Sequence, residues 1–223
     1  MFKKYLLYIA VILLVSCSVE KKNDSLSIVE LVDMDYRFST QALSKFCSEN
    51  GIDSSDIYQW QNHWVIYGQM NTKEIAEKLV QSFPRLKINT YEAPFYNFNR
   101  EQQTHEKPAS KWTNIIMTAN LVSDTLKQKE YLEYHRTQFE KWPELSKGFC
   151  NAHFQQLLVF RSGRQLMLVI SIPKGKTLDE LNPKTTENNP RVNDWNKIMA
   201  NYQEGIEDAP KGSTWVMFNS INR

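Results

Sequence analysis

The sequence predicts an α+β chain in which the order β-α-β-β-α-β runs twice. Three observations carry this. Short β-branched runs alternate with capped helical stretches in the same order in both halves, each half holds a turn-linked strand pair, and a polar segment without apolar period divides them. The β-α-β-β-α-β order is the ferredoxin-like plan, so the expected architecture is tandem ferredoxin-like units forming a dimeric α+β barrel within one chain. With 223 residues, 41% apolar and 23% charged, the composition excludes disordered, collagen-like and coiled-coil classes. Two halves of roughly 100 residues can each bury about 60% of the surface their unfolded chains expose.

Residues 1–16 read as a secretion signal. Lys3 and Lys4 precede an apolar run over 5–15 that is too short to span a bilayer, which takes about 20 apolar residues. Leu14-Val15-Ser16-Cys17 matches the bacterial lipobox, so Cys17 is the expected lipidation site, anchoring the protein to a membrane on the periplasmic or cell-surface side. Residues 17–25, with Glu20, Lys21, Lys22 and Asp24, form a polar tether.

The first unit, 26–98, opens with a β-branched strand over 28–32. Ser39-Thr40 starts a helix that Asn50-Gly51 ends, and strands over 57–60 and 64–70 flank a turn at Gln61-Asn62. Asn71 caps a helix with Glu74 at its third position; this helix stops before Pro84, and 86–91 closes the unit as a strand. Residues 99–112 are polar, contain Pro108 and form the expected linker. The second unit, 113–221, begins with a strand over 114–122. Ser123-Asp124 then caps a helix running to about Gln138, Pro143 starts a short turn, and Gly148 releases it. Strands over 154–161 and 164–172 surround the turn Ser162-Gly163, where glycine permits a positive φ. A polar loop over 173–190, a helix over 192–203 and a strand over 214–220 complete the unit.

Charge excludes one class of partner. Removing residues 1–16 takes away Lys3 and Lys4 and no acid, leaving 25 bases against 25 acids, and no basic run supplies a nucleic-acid surface. No Gly-rich phosphate loop, CxxC pair or His/Asp metal spacing is present to bind a nucleotide or a metal. Cys47 and Cys150 are expected as two buried thiols rather than a bridge. The aromatic share of 12% leaves rings for a ligand as well as for the core.

The most informative stretch is the helix holding Tyr134, Gln138 and Trp142. At i, i+4 and i+8 they would share one face, where phenol, amide and indole suit a sugar. The same spacing equally suits a core stripe of Tyr131, Tyr134, Trp142 and Leu145. Glu133-Tyr134, Gln138 and Trp142-Pro143-Glu144-Leu145 resemble the signature of the L-rhamnose mutarotase family. The resemblance continues through the hairpin around Ser162-Gly163 and the run 193–199, about half of the mature chain. It implies a dimeric α+β barrel and cofactor-free interconversion of the α and β anomers of L-rhamnose or a related 6-deoxysugar.

Carried over by residue, the resemblance places the family's substrate-contacting tyrosine at Tyr134 and its second one at Gln156. It places the paired tryptophans at Trp195 and Asn196, and the proton-donating histidine at Gln138. An amide can bond a hydroxyl but cannot titrate near neutral pH. The expected acid is therefore His135, about 60° around the helix from Gln138, or His153 at the start of the central strand. Each has a plainer alternative, as helix-flank cover and as a sheet-edge residue. His63 and His105 are expected in solvent, as are Arg161 and Arg164 beside the hairpin turn. The expected site thus comprises Tyr134, Gln138, Trp142, Gln156, Trp195 and Asn196 with His135 or His153. The expected function is carbohydrate mutarotation, with a non-catalytic sugar-binding lipoprotein of a glycan-uptake system as the alternative. Because the first unit lacks these motifs, it is expected to replace a partner subunit, leaving the protein monomeric.

Overall fold

Nine β-strands lie side by side in one curled antiparallel sheet, in a computed structural model that describes residues 25–104 and 107–222. The signal segment, Cys17 and His105 lie outside the described residues. Among those described, no helix is long and apolar enough to cross a membrane.

The first half contributes β1 (Leu26–Val32), α1 (Thr40–Glu49), β2 (Ile57–Trp60), β3 (His63–Gln69), α2 (Thr72–Ser82) and β4 (Lys87–Tyr91). Both long helices start where a side chain satisfies an orphan amide: Ser39 Oγ accepts from the Ala42 N–H, and Asn71 Oδ1 from the Glu74 N–H. Then come β5 (Tyr96–Asn99), α3 (Arg100–Gln103) and β6 (Trp112–Leu121), followed by α4 (Thr125–Arg136), α5 (Gln138–Lys141) and α6 (Pro143–Asn151). The chain continues through β7 (Gln156–Ser162), β8 (Gln165–Pro173), α7 (Leu178–Leu181) and α8 (Pro190–Met199), and ends in β9 (Gln203–Glu204) and β10 (Val216–Ser220).

The strand order is β4-β1-β3-β2-β10-β6-β8-β7-β5, with β9 beside β6. The orders β4-β1-β3-β2 and β10-β6-β8-β7 are equivalent, so each half repeats one plan. The junction is narrow: β10 meets β2 only at Asn219↔Gln59 and Ser220↔Tyr58. Because side chains alternate along a strand, one sheet face buries Ile28, Val65, Tyr67, Leu158, Phe160 and Val169 together, drawing on both halves. The opposite face carries one helix-covered core in each half, around Leu31, Leu43 and Leu79 in the first and around Phe154, Leu166 and Ile170 in the second.

A fully buried carboxylate pins the halves together. Glu30 Oε1 accepts from Gln165 Nε2 at 2.9 Å and lies 2.9 Å from His63 Nδ1; Oε2 accepts from Asn89 Nδ2 at 2.9 Å and Tyr91 OH at 3.2 Å. His63 is therefore a buried member of β3, not the solvated turn residue expected, because its ring lies between the buried Glu30 carboxylate and the Trp60 indole. Cys47 is buried and Cys150 half-buried, and the two are not bridged to each other.

Three other expectations change. Residues 99–112 are not a plain linker: β5 pairs with β7, extending the second half's sheet, and α3 follows at once. The loop over 173–190 holds α7, closed by a Thr177–Glu180 capping box, and a 3-10 turn at Asn182–Thr185. The helix from Asp124 ends at Arg136. Thr137 Oγ1 bonds the Glu133 carbonyl at 2.9 Å, and its backbone at φ −99°, ψ 6° turns the chain before Gln138.

Candidate functional site

A cavity of about 390 Å³ lies between the outer face of the second half's sheet and helices α4, α6 and α8, within the size range usual for small-molecule sites. Its floor is apolar, made by Leu157 and Val159 of β7 with Leu168 and Ile170 of β8. Rings of Tyr96, Tyr131 and Trp195 form walls, while exposed Asn182 and Asn196 stand at the mouth. Among the described residues, no Asp, Glu, Lys or Arg lines it.

His135 is the titratable centre. Its Nδ1 lies 2.9 Å from the Tyr131 carbonyl one helical turn back. A carbonyl only accepts, so Nδ1 carries the proton and Nε2 holds a lone pair. Burial pushes the imidazole down to about 4, partly offset by that bond, so the ring is neutral at pH 7. Aromatic rings fix its plane: Tyr131 at 4.3 Å, Tyr96 and Trp195 each at 5.2 Å, and Phe95 at 5.6 Å.

Of the expected site residues, His135, Trp195 and Asn196 line this cavity together. Tyr134 does not. It packs edge-on against Trp195 at 5.9 Å and lines a separate open groove with Lys129, Glu133 and Lys141. Gln138 is buried and spent: Oε1 accepts from Tyr96 OH at 2.6 Å and Nε2 donates to the Trp142 carbonyl at 2.8 Å. The shared face of Tyr134, Gln138 and Trp142 does not form, because the break at Thr137 rotates the last two away. Trp142 sits behind Trp195, centroids 5.5 Å apart, with the Arg191 guanidinium 3.8 Å above its ring. Gln156 shares the parity of Leu158 and Phe160 and so lies on the sheet face of their core, across the sheet from the cavity. His153 is exposed at φ +54° after α6, outside the cavity. Arg161 bonds Gln128 Oε1 and the Gly163 carbonyl, Arg164 bonds Glu204 and the Leu121 carbonyl, and neither lines the cavity.

Sequence reasoning placed Tyr131 only in a core stripe and passed over Tyr96, Gln203 and Trp215, which line the cavity. The available signal was the i, i+4 pair of Tyr131 and His135. Gln203 arrives on β9 and Trp215 on the segment just before β10, and neither had one.

Fold and cavity together define an α+β protein with an uncharged, aromatic-walled pocket around a neutral histidine. All of the pocket's lining except Tyr96 falls within the part of the chain that resembles a known family: residues 115–223 match the model of the family described as L-rhamnose mutarotase. The chain is 26% identical over 112 residues to a UPF0734 protein of Dictyostelium discoideum, covering 47% of this chain and 83% of that one. It is also 26% identical over 102 residues to an L-fucose mutarotase of Xanthomonas campestris pv. campestris, covering 45% of this chain and 79% of that one.

Proposed function

We propose that the protein interconverts the α and β anomers of a neutral sugar, L-rhamnose or a related 6-deoxyhexose, in the cavity of its second half and without a cofactor. The carrying observation is that the match to the mutarotase family model coincides with the segment that builds a cavity around His135. Mutarotation requires a base for the anomeric hydroxyl proton and an acid for the ring oxygen; the ring opens, C1 rotates about the C1–C2 bond, and the ring closes on the other face. His135, neutral at pH 7 with its lone pair on Nε2, supplies the base and not the acid expected of it as a stand-in for Gln138. Uncharged walls favour a sugar without carboxylate or phosphate, and the apolar floor accommodates a methyl group at C6.

One observation favours a second reading: Gln138, where the resemblance places the family's acid, is consumed by protein contacts. In that reading the cavity holds a sugar without turning it over, as a receptor in glycan uptake. Saturation-transfer NMR on L-rhamnose and L-fucose separates the two, since a mutarotase exchanges magnetisation between α and β anomeric protons in proportion to protein concentration and a receptor only binds. We also propose that the repeated strand order represents two ferredoxin-like units standing in for the subunits of a dimeric barrel, so the protein sediments as a monomer at micromolar concentration. Lipidation at Cys17 is part of the proposal, and loss of labelled fatty-acid incorporation in Cys17→Ala tests it.

A further inference from the structure

The cavity contains a matched hydrogen-bond donor and acceptor whose directions follow from connectivity. The Trp215 indole N–H can only donate, and it does so to Gln203 Oε1 at 3.2 Å. That contact sets the orientation of the amide, so the Gln203 NH₂ faces the other way and donates to Tyr131 OH at 3.1 Å. The phenol therefore receives a hydrogen bond from the protein and keeps its own proton for another acceptor; among the described residues none takes it. One helical turn on, His135 donates through Nδ1 and keeps a lone pair on Nε2. The two rings lie 4.3 Å apart and both line the cavity.

We infer that Tyr131 is the catalytic acid of this site, paired with His135 as base, and that Gln203 and Trp215 are positioning residues holding the phenol proton toward substrate. This rests on the mutarotase reading and deepens it. A hemiacetal carbon carries a hydroxyl donor, O1–H, and a ring-oxygen acceptor, O5, on the same atom, which is the complement of a lone pair beside an O–H. In the opening step His135 Nε2 takes the O1 proton, the O1 electron pair forms the C1=O1 bond, the C1–O5 bond breaks, and O5 takes the Tyr131 proton. The products are the hydroxy-aldehyde, an imidazolium and a phenolate, charges that burial disfavours on both side chains and that therefore last only until closure. Closure on the opposite face returns both protons. A glycoside has no O1–H, so the pair selects free reducing sugars.

The test measures exchange and affinity separately, with L-rhamnose as probe and methyl α-L-rhamnoside as its blocked analogue. Tyr131→Phe keeps the ring that fills the buried position, so it isolates the hydroxyl. Its anomer-exchange rate at saturation is expected to fall about 10²-fold or more while the dissociation constant stays within about threefold. The protein-dependent rate in this variant should then rise with the concentration of buffer acid, which wild type does not require. Trp215→Phe frees the amide to turn and capture the phenol proton, and is expected to lower exchange about tenfold at unchanged affinity. Undiminished exchange in Tyr131→Phe overturns the inference and leaves the mutarotase reading standing. Wild type that binds rhamnose without exchanging it overturns the inference in favour of a receptor. Wild type that neither binds nor exchanges removes both. Equal affinity for the methyl glycoside and the free sugar also counts against the pair.

Discussion

Replacing His135 with Phe keeps an aromatic ring among Tyr96, Tyr131 and Trp195 but removes the titrating nitrogen. The wild-type ring is held at about 4 by burial against an ordinary value of 6.5, and that gap corresponds to roughly 3 kcal/mol. The sign follows from which state binds the proton. As pH falls from 6.5 toward 4 the unfolded chain protonates His135 and the folded protein does not, so folding loses stability throughout that window. Below about 4 both states carry the proton and the loss ends. Carboxylates such as Asp33, held low by backbone N–H bonds that outweigh its burial, add their own loss at acid pH, but equally in both proteins. Urea unfolding of wild type and His135→Phe at intervals from pH 7 to pH 4 therefore yields a difference of differences. Wild type should lose about 3 kcal/mol more than the variant over that span. Curves parallel within about 0.5 kcal/mol would refute a buried, neutral His135.

Other substitutions probe the site's surroundings. Gln138→His places the residue type of the resembling family at this position, yet it should cost about 2 kcal/mol in thermal unfolding and give no gain in exchange over wild type, because Tyr96 OH or the Trp142 carbonyl loses its partner. Gly148→Ala would set a Cβ 2.5 Å from the Thr185 carbonyl oxygen and 3.1 Å from Val192 Cγ2. The α6–α8 packing would have to open, with a cost of roughly 2–3 kcal/mol and weaker sugar binding by calorimetry. Glu30→Gln turns an NH₂ toward donors already aimed at the carboxylate and should lower the urea midpoint by the equivalent of roughly 3 kcal/mol. The Cys47 thiol, buried and pushed up to about 12, should resist an aromatic disulfide reagent in the native state and react fully in denaturant.

What the sequence revealed tracks how local the cause was. Ser39, Asn71 and Asp124 cap their helices as read, since a cap is a contact between neighbours. The strand pairs around Gln61-Asn62 and Ser162-Gly163 were legible from turn chemistry and alternation. The break at Thr137 was not, because the stretch from Tyr131 to Leu145 holds an apolar period that continues across it. Its effect is large: it moves Gln138 and Trp142 off the face of Tyr134 and leaves His135 as the residue pointing inward. The β5 strand, Tyr-Asn-Phe-Asn, carried a two-residue alternation that the polar residues beyond it obscured. Gln203 of β9 reaches Tyr131 and Trp215 reaches Gln203 from segments distant in sequence from α4, so only the folded chain brings that donor chain together.

The central claim is that a neutral sugar is turned over at His135. Saturation-transfer NMR on L-rhamnose with the purified protein at pH 7 tests it most directly, comparing wild type with His135→Phe at equal concentration. The account predicts exchange between the α and β anomeric protons that rises in proportion to wild-type protein and drops to the buffer rate in the variant. Exchange at the buffer rate with wild type, or equal acceleration by both proteins, would contradict it.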